Sequence, residues 1–267
     1  MSVSRMSNPF KPLEQYLRRI IKHRVIRKDR LKELLDAQAR GQQAEADLAF
    51  LALLPPSMVG QALASLAESP AQLRQDLFVL SELGFKRDGF FVEFGAADGH
   101  NLSNSWLLEK RFGWKGILSE PARCWHEMLA KNRSCLVDHR CVWSRTGASL
   151  EFNEVAEIST VTGFGQDDAH HQERQKAVQY VVPTISLMDL MAESNAPLNP
   201  DYLSIDTEGS EFEILSHFDF GRYPFKVITC EHNFTPMREK LHDLLTSAGY
   251  VRKFESASQF DDWYVRV

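Results

Sequence analysis

A buried strand followed by a glycine turn constrains this chain more than any other segment. Residues 90–94 are apolar except for Glu93, which is typical of a parallel strand buried on both faces. Gly95 and Gly99 allow the chain to turn tightly and to approach a ligand closely. A helix is expected to begin near residues 101–103. A strand, a turn and a helix in this order predict an α/β protein with a parallel sheet.

A second predicted strand, at residues 116–119, ends at another acid. Glu120 lies 25 residues beyond Gly95, close to the spacing at which nucleotide-binding α/β folds place a carboxylate for the ribose hydroxyls. Glu93 and Asp98 would repel a pyrophosphate, but they suit the ammonium and sulfonium groups of S-adenosylmethionine. The spacing therefore favours a nucleotide site, and the charges favour a methyl donor over a dinucleotide.

Two later segments, residues 201–211 and 227–233, predict strands that also end in polar clusters. The carboxyl ends of strands in an open parallel sheet line the ligand crevice. The strand-end acids expected to face this crevice are Glu93, Glu120, Asp206 and Glu231.

Five blocks of the chain together resemble the FkbM family of S-adenosylmethionine-dependent methyltransferases. They are FVEFGAADG, SEP, VPTISLMDLM, DYLSIDTEGSEFEIL and CEHN, and the resemblance covers about residues 70–267. It implies an α/β fold of the Rossmann-like class I methyltransferase type, with seven strands, the last one reversed, and helices on both faces. It also implies methyl transfer to a hydroxyl, often on a sugar or a natural-product scaffold.

The resemblance assigns residues to the cofactor by position. The methionine end of S-adenosylmethionine would be held by Glu93, Gly95, Ala96, Asp98, Gly99 and Asn101. The ribose would be held by Glu120, and Pro121 and Asp206 are further expected cofactor-binding residues.

Methyl transfer to an alcohol requires alignment of oxygen, methyl carbon and sulfur, together with removal of the hydroxyl proton. The residues predicted to act in this step are Asp206, Glu208 and His232. In one mechanism, His232 or Asp206 is the general base. In the other, Asp206 and Glu231 with Asn233 or His232 bind Mg²⁺ or a similar hard cation. That ligand set looks like the metal site of catechol O-methyltransferases, and both mechanisms stay open.

Charge divides the chain into two regions. We predict an N-terminal helical extension at residues 1–68 and a methyltransferase domain at residues 69–267. Residues 1–40 contain eleven Lys or Arg and four acids, whereas the remainder has 20 basic and 32 acidic residues. A basic amphipathic helix suits an anionic membrane surface or an acidic partner, but a helix face packed on the domain or on a second subunit is preferred. Nucleic acid is not expected, because the basic segment lacks interleaved aromatic residues.

Three other segments have simpler interpretations. Residues 42–67 predict two helices, broken at a proline pair, that cap the sheet or form a homodimer contact. Residues 69–84 predict a helix in which Gln75 and Asp76 either lean over the cofactor or face water. The polar stretch at residues 147–181 predicts a substrate loop, and its adjacent histidines, His170 and His171, are expected on its surface.

Composition is ordinary for a globular enzyme of 267 residues, with 43% hydrophobic and 25% charged residues. The four cysteines have no CxxC spacing, so free thiols are expected. No run approaches the ~20 apolar residues of a membrane span, and no secretory signal is recognised, so we expect a cytoplasmic protein. The expected partner is a hydroxyl-bearing small molecule or glycan. A nicotinamide-dependent oxidoreductase and a non-catalytic binding protein are the alternative functions.

Overall fold

A seven-stranded sheet and a smaller four-stranded sheet carry the fold. The computed structural model describes residues 28–155, 159–161 and 177–267. The strands in chain order are β1 (Phe90–Phe94), β2 (Lys115–Ser119), β3 (Leu136–Asp138), β4 (Cys141–Trp143), β5 (Ser149–Glu154), β6 (Thr160–Val161), β7 (Val178–Ser186), β8 (Tyr202–Ile205), β9 (Val227–Glu231), β10 (Tyr250–Lys253) and β11 (Asp261–Arg266).

The helices lie between and around these strands. In chain order they are α1 (Lys28–Leu53), α2 (Pro56–Ser65), α3 (Gln75–Glu82), α4 (Trp106–Phe112), α5 (His126–Asn132), α6 (Leu187–Glu193), α7 (Glu211–Leu215), α8 (Met237–Ser247) and α9 (Glu255–Ser258). Short 3₁₀ turns follow α2 and precede α5.

Strand order in the large sheet is β10-β11-β9-β8-β1-β2-β3. Neighbouring strands from β9 to β3 are parallel, whereas β11 is antiparallel to both β9 and β10. The chain builds outward in one direction from β1 to β3 and in the other direction from β8, so the order reverses between β1 and β8. This topology confirms the predicted α/β sheet of seven strands with the last one reversed.

Alternate residues of the central strands face opposite layers, as a pleated strand requires. Val92 and Leu203 pack in a core with α6, α7 and α8, whereas Phe91 and Tyr202 pack in a second core with α3, α4 and α5. Both cores are fully buried at these positions. The predicted helices on both faces of the sheet are therefore confirmed, and the apolar run of β1 is explained by burial on both sides.

Two predicted helix starts are wrong. The helix after the glycine turn begins at Trp106 rather than near residues 101–103, because the intervening loop is bound to Glu93. The helix predicted from residue 69 begins at Gln75. The preceding Arg74 adopts a left-handed conformation at the N-cap, and Ser69 instead donates its hydroxyl proton to Asp76 Oδ1 over 2.7 Å.

The chain divides between Leu48 and Ala49 into two compact units. Phe50, Leu54 and Ala62 already belong to a core of the second unit, and the domain boundary after residue 68 stays a prediction. The break between α1 and α2 falls at the proline pair, as predicted.

Parts of two predicted segments lie outside the described residues: the basic stretch up to residue 27, and residues 156–158 and 162–176, with both loop histidines. All four cysteines are free thiols, as expected. Within the described ranges, no helix is long and apolar enough to cross a bilayer.

Candidate active site

Two connected cavities open at the carboxyl ends of β1 and β8, where the strand order reverses. Ligands of open α/β sheets bind at such a switch point. The larger one, here the acidic cavity, has a volume of about 270 Å³ and is lined by Glu93, Asp206, Glu208 and Glu231 together with neutral residues. The smaller one, here the Glu120 cleft, measures about 50 Å³. Both share the backbone around Gly95 and the Asp206 loop.

Gly95 allows the ends of β1 and β8 to come into close contact. Its φ is +79°, and a Cβ at this position would lie only 1.6 Å from the carbonyl oxygen of Asp206. Any side chain here would force the two loops apart. The prediction that Gly95 permits a close approach is therefore explained by the Asp206 backbone.

Glu93 is bound by the loop that follows it. Its carboxylate accepts hydrogen bonds from the Ser103 hydroxyl at 3.0 Å, from the Asn104 backbone N–H at 2.8 Å and from the Ser105 hydroxyl. The buried guanidinium of Arg133 lies 3.6 Å away. Glu93 borders the acidic cavity, but these partners occupy its oxygens. Its main role is to hold the loop, and a direct bond to the methionine end of the cofactor stays a prediction.

The structure does not bring Asp98 and Gly99 to either cavity, contrary to their predicted cofactor role. The Asp98 carboxylate accepts hydrogen bonds from the backbone N–H groups of His100 and Asn101, both at 2.8 Å, and from the Asn101 side chain. A Cβ on Gly99 would lie 2.8 Å from Arg133 Cγ. Both residues therefore shape the loop from within. Asn101 does line the acidic cavity, as does Ala96.

Glu120 lies in the cleft with its carboxylate directed to two backbone amides. Oε2 accepts a hydrogen bond from Ala97 N–H at 2.9 Å, and Oε1 accepts one from Ala122 N–H at 2.7 Å. Burial raises the pKa of this carboxyl to about 7. Each carboxylate oxygen has a second lone pair, and Pro121 lines the same cleft. Glu120 therefore joins the first glycine turn to the second strand end, as a ribose-binding acid requires.

Three carboxylates meet in the acidic cavity. One oxygen each from Asp206, Glu208 and Glu231 lie within 4.8 Å of one another. Oε2 of Glu231 is buried and has no hydrogen-bond partner. The Asn233 side-chain N–H group points to Glu208 Oε2 over 3.4 Å. Glu208 therefore joins Asp206 and Glu231 as a possible ligand. Asn233 lines the same cavity, and the predicted ligand set of Asp206, Glu231 and Asn233 stays a prediction.

The like charges in this cluster raise its proton affinity. Burial, reinforced by the negative charge of Glu208, raises the pKa of the Asp206 carboxyl well above its usual value. Asp206 as a whole residue is exposed to solvent, and its carboxyl group lies beside those of Glu208 and Glu231. Burial and the charge of Asp206 raise the pKa of Glu231 in the same direction. A carboxylate whose pKa is raised is a stronger base than an ordinary carboxylate.

The geometry opposes His232 as a general base. Its ring is buried, lines neither cavity, and accepts a hydrogen bond at Nδ1 from Phe234 N–H over 3.0 Å. A neutral ring therefore carries its proton on Nε2, which lies 3.8 Å from Asp262. Burial also lowers the pKa of this imidazole. Neither nitrogen has a lone pair directed at the acceptor site.

Gln75 and Asp76 do not reach either cavity. Gln75 donates to Asp261 Oδ2 at 2.8 Å and accepts from Leu73 N–H, and both residues are buried. The helix that contains them is thus a packing element. Gln72, just before it, lines the acidic cavity instead.

Three residues of the site were missed by sequence reasoning. Arg133 comes from the end of α5 and donates to Glu109, Ser103 and Ser105 from a fully buried position. Asn104 lines the acidic cavity and donates to Ser204 Oγ at 3.0 Å, while its buried Oδ1 has no partner. Thr160 Oγ lies 3.1 to 3.2 Å from the Thr207 and Glu208 carbonyls. No spacing rule marks these residues, although polar side chains after a glycine turn were a usable signal for Asn104.

A parallel sheet with one reversed strand, a glycine turn at the switch point and an acid after the second strand define the class I methyltransferase fold. The family model described as "Methyltransferase FkbM domain" matches residues 93–256, more than half of the chain. The chain therefore belongs to the FkbM methyltransferase family, as the sequence blocks predicted.

Solved structures with a similar fold are distant in sequence. Methyltransferase FkbM from Methylobacillus flagellatus is 13% identical, with 84% of this chain and 59% of that chain covered and a TM-score of 0.48. A precorrin-6y C5,15-methyltransferase from Geobacter metallireducens is 14% identical, with 71% and 85% covered and a TM-score of 0.37. A TehB-like S-adenosylmethionine-dependent methyltransferase from Corynebacterium glutamicum is 9% identical, with 78% and 96% covered and a TM-score of 0.38.

The chain thus spans less than two thirds of the Methylobacillus flagellatus protein. Among proteins with curated functions, none matches the chain.

The residues present fit S-adenosylmethionine, the methyl donor of this family. Glu120 offers lone pairs at the place predicted for the ribose, and Gly95 keeps the turn free of a side chain. The two cavities meet at this turn, and the larger one is acidic, which suits a ligand with ammonium and sulfonium groups. The same acids disfavour the pyrophosphate of a nicotinamide cofactor.

Proposed function

We propose that this protein transfers a methyl group from S-adenosylmethionine to a hydroxyl of a sugar, a glycan or a glycosylated metabolite. The observation that carries the proposal is the convergence of the Asp206, Glu208 and Glu231 carboxylates within 4.8 Å of one another, in the cavity beside the Gly95 turn. A hydroxyl needs a proton acceptor as it attacks the methyl group, and a carboxylate with a raised pKa suits that task near neutral pH.

Each residue of the site has one part in this reaction. The Glu120 carboxylate would accept hydrogen bonds from the ribose hydroxyls, and the backbone at Gly95 and Ala97 would border the methionine part. Bound S-adenosylmethionine supplies an electrophilic methyl group on its sulfonium. Asp206 or Glu231 would accept the acceptor's hydroxyl proton, and Glu208 would hold the acceptor in line by a hydrogen bond.

A cation-assisted version of this mechanism is the alternative. A divalent cation such as Mg²⁺ would lower the pKa of the acceptor hydroxyl, and hard cations prefer carboxylate oxygens. The convergence of Asp206, Glu208 and Glu231 within 4.8 Å supports this version. The described residues that line the acidic cavity include no Lys, Arg or His side chain.

Direct Mn²⁺ binding tests the cation-assisted version. Mn²⁺ would be titrated into the full chain and followed by electron paramagnetic resonance of the free ion. Binding by wild type and by Glu213→Gln, a control from α7, with loss in Glu231→Gln, supports it. Equal binding by all three proteins, or none by wild type, removes the cation from the mechanism.

Calorimetry tests the cofactor itself. The full chain would be titrated with S-adenosylmethionine, S-adenosylhomocysteine and NAD, in wild type, Glu120→Ala and the surface control Glu127→Ala. Micromolar binding of both sulfur ligands, retained in Glu127→Ala and weakened at least about tenfold in Glu120→Ala, supports the proposal. Failure of a folded protein to bind either sulfur ligand contradicts it and leaves a binding protein with a methyltransferase fold.

Location and assembly are part of the same proposal. We infer a cytoplasmic enzyme that forms a homodimer through its N-terminal helices, with peripheral membrane contact of the basic segment as the alternative and no nucleic-acid partner. Light scattering of the eluted full chain at two protein concentrations tests the dimer. A monomer at both concentrations contradicts it.

A further inference from the structure

Phe234 is an exposed aromatic residue next to the acidic cavity, and neighbouring residues hold its turn in place. The residue is 70% exposed and directly follows Asn233, which lines the acidic cavity. An isolated exposed apolar residue is ordinary on a protein surface. Phe234 differs from such a residue in the backbone that carries it and in the cavity beside it.

The turn that carries Phe234 is strained and firmly held. Asn233 and Phe234 have φ values of +44° and +55°, a left-handed conformation that a bulky side chain rarely adopts. The buried His232 fixes this turn. Its Nδ1 accepts a hydrogen bond from Phe234 N–H at 3.0 Å, and its ring lies edge-on to the Phe234 ring with centroids 5.3 Å apart. Strain kept by surrounding structure is a feature of functional sites.

Hydrogen bonds to Phe260 also hold this turn. The backbone N–H groups of His232 and Asn233 both donate to the carbonyl oxygen of Phe260, at 2.9 and 3.2 Å. Phe260 itself lines the acidic cavity. The exposed ring therefore stands on a turn tied to the cavity wall, so little conformational freedom is lost when a ligand packs on it.

The cavity beside this ring contains buried acceptors that have no donor. Besides Glu231 Oε2, the buried amide oxygen of Asn104 has no partner, and both residues line the cavity. Each of these atoms requires a hydrogen-bond donor when a ligand excludes water. The described residues that line the cavity include no cationic side chain. A ligand that fits has several hydroxyl donors, no negative charge and an apolar face.

We propose that Phe234 is the platform for a neutral pyranoside, with His232 as its positioning residue. A sugar ring has hydroxyls around its edge and C–H groups on its faces. The face of an aromatic ring carries negative charge density and packs against such C–H groups, while the hydroxyls reach the acceptors in the cavity. This inference rests on the proposed function, because it names the class of acceptor for that site.

Saturation-transfer NMR tests the platform without turnover. The full chain with S-adenosylhomocysteine would be mixed with methyl glucoside, methyl galactoside, methyl rhamnoside and methyl glucuronide, and the signal on the sugar C–H protons would be measured. We expect signal from at least one neutral glycoside and none from the anionic glucuronide. Absence of signal from every neutral glycoside, or equal signal from the glucuronide, overturns the proposal.

Variants separate a platform from a merely structural turn. Phe234→Ala should weaken glycoside binding about tenfold, whereas Phe234→Trp and the exposed control Leu198→Ala should keep it. His232→Ala should weaken it as well, and His232→Asn, which retains an acceptor, should restore part of it. S-adenosylhomocysteine affinity should stay within about twofold in all five variants. Unchanged glycoside binding in Phe234→Ala overturns the proposal, and it leaves the cofactor site unaffected.

Discussion

Glu93 and Glu231 are both glutamates near the carboxyl ends of buried strands, but different neighbouring groups surround their carboxylates. Each ends a buried parallel strand, and each borders the acidic cavity. Glu93 receives three hydrogen bonds and lies beside the Arg133 guanidinium. Glu231 has an oxygen without a donor and two other acids as neighbours. Position at a strand end brings a carboxylate to the crevice, but its partners decide whether it holds the fold or awaits a ligand.

Removal of the Glu93 charge should have the largest effect. In Glu93→Gln, Arg133 keeps only Glu109 as an anionic partner, and donors that now face Glu93 would meet an amide N–H₂ group. Breaking a buried pair in this way costs about 3 to 5 kcal/mol. Urea unfolding monitored by circular dichroism measures the loss, with the surface variant Glu127→Gln as the control. A loss no greater than that of the control would show that the loop does not depend on Glu93.

A buried acid with an unbonded oxygen should make stability depend on pH, and Asp76 resembles Glu231 in this respect. Burial raises the pKa of Asp76 to about 7, and its Oδ2 has no partner. The folded state therefore keeps a proton that the unfolded chain releases near its ordinary value of 3.8. Between these values, stability falls as pH rises, by up to about 1.4 kcal/mol per pH unit for one proton.

Asp76→Asn removes this contribution. Unfolding free energies at pH 5, 6 and 7 should fall less steeply in the variant than in wild type, so its relative stability should improve as pH rises. Glu120 has a similarly raised pKa and stays in both proteins, which isolates the contribution of Asp76. Parallel pH profiles for the two proteins would contradict the raised pKa.

The Thr160 hydroxyl should stabilise the backbone of Thr207 and Glu208 beside the acidic cavity. Thr160 bonds to the carbonyls of Thr207 and Glu208, and Glu208 has a φ of +59°. Thr160→Val should cost about 1 kcal/mol, whereas Thr160→Ser should cost less, because it keeps the donor. Chemical denaturation of both variants measures the difference. A larger loss in Thr160→Ser than in Thr160→Val would contradict this, because it would assign the effect to packing of the methyl group.

Glu231→Gln should have the smallest effect on stability and should act in the opposite direction to Glu93→Gln. It removes a negative charge from a cluster of like charges, so the unfolding free energy should stay constant or rise by about 0.5 to 1 kcal/mol. Methyl transfer, once an acceptor is known, should fall at least about tenfold. Destabilisation as large as that of Glu93→Gln would show that Glu231 is a structural residue and would end the comparison.

Much of the fold followed from local pattern. The apolar run of β1 indicates burial on both faces of the strand. Gly95 indicates a turn without a side chain, and Glu120, 25 residues later, indicates a partner for a ribose. These features predicted the parallel sheet and the ligand crevice at its strand ends, whereas the family was predicted from the resemblance of five sequence blocks. Helix starts failed where a distant or loop partner replaced the local cap, as at Ser69 and in the loop bound by Glu93.

The site was predicted only in part, because side-chain partners come from distant segments. The sequence offers His232 and Asp206 equally as general bases. In the structure, the His232 ring accepts a hydrogen bond from Phe234 N–H, whereas the Asp206 side chain lines the acidic cavity. Asp98 has the charge expected of a cofactor ligand, but its carboxylate accepts hydrogen bonds from two backbone N–H groups of its own loop.

The sequence by itself determined where the acids lie, because strand periodicity and glycine turns act over a few residues. Only the tertiary structure decided which acids are neutralised. Arg133 reaches Glu93 from the end of α5, and no cation from the described residues reaches Glu231. Charge compensation depends on distances of a few ångströms between segments far apart in the chain, and a single sequence does not encode those distances in any local pattern.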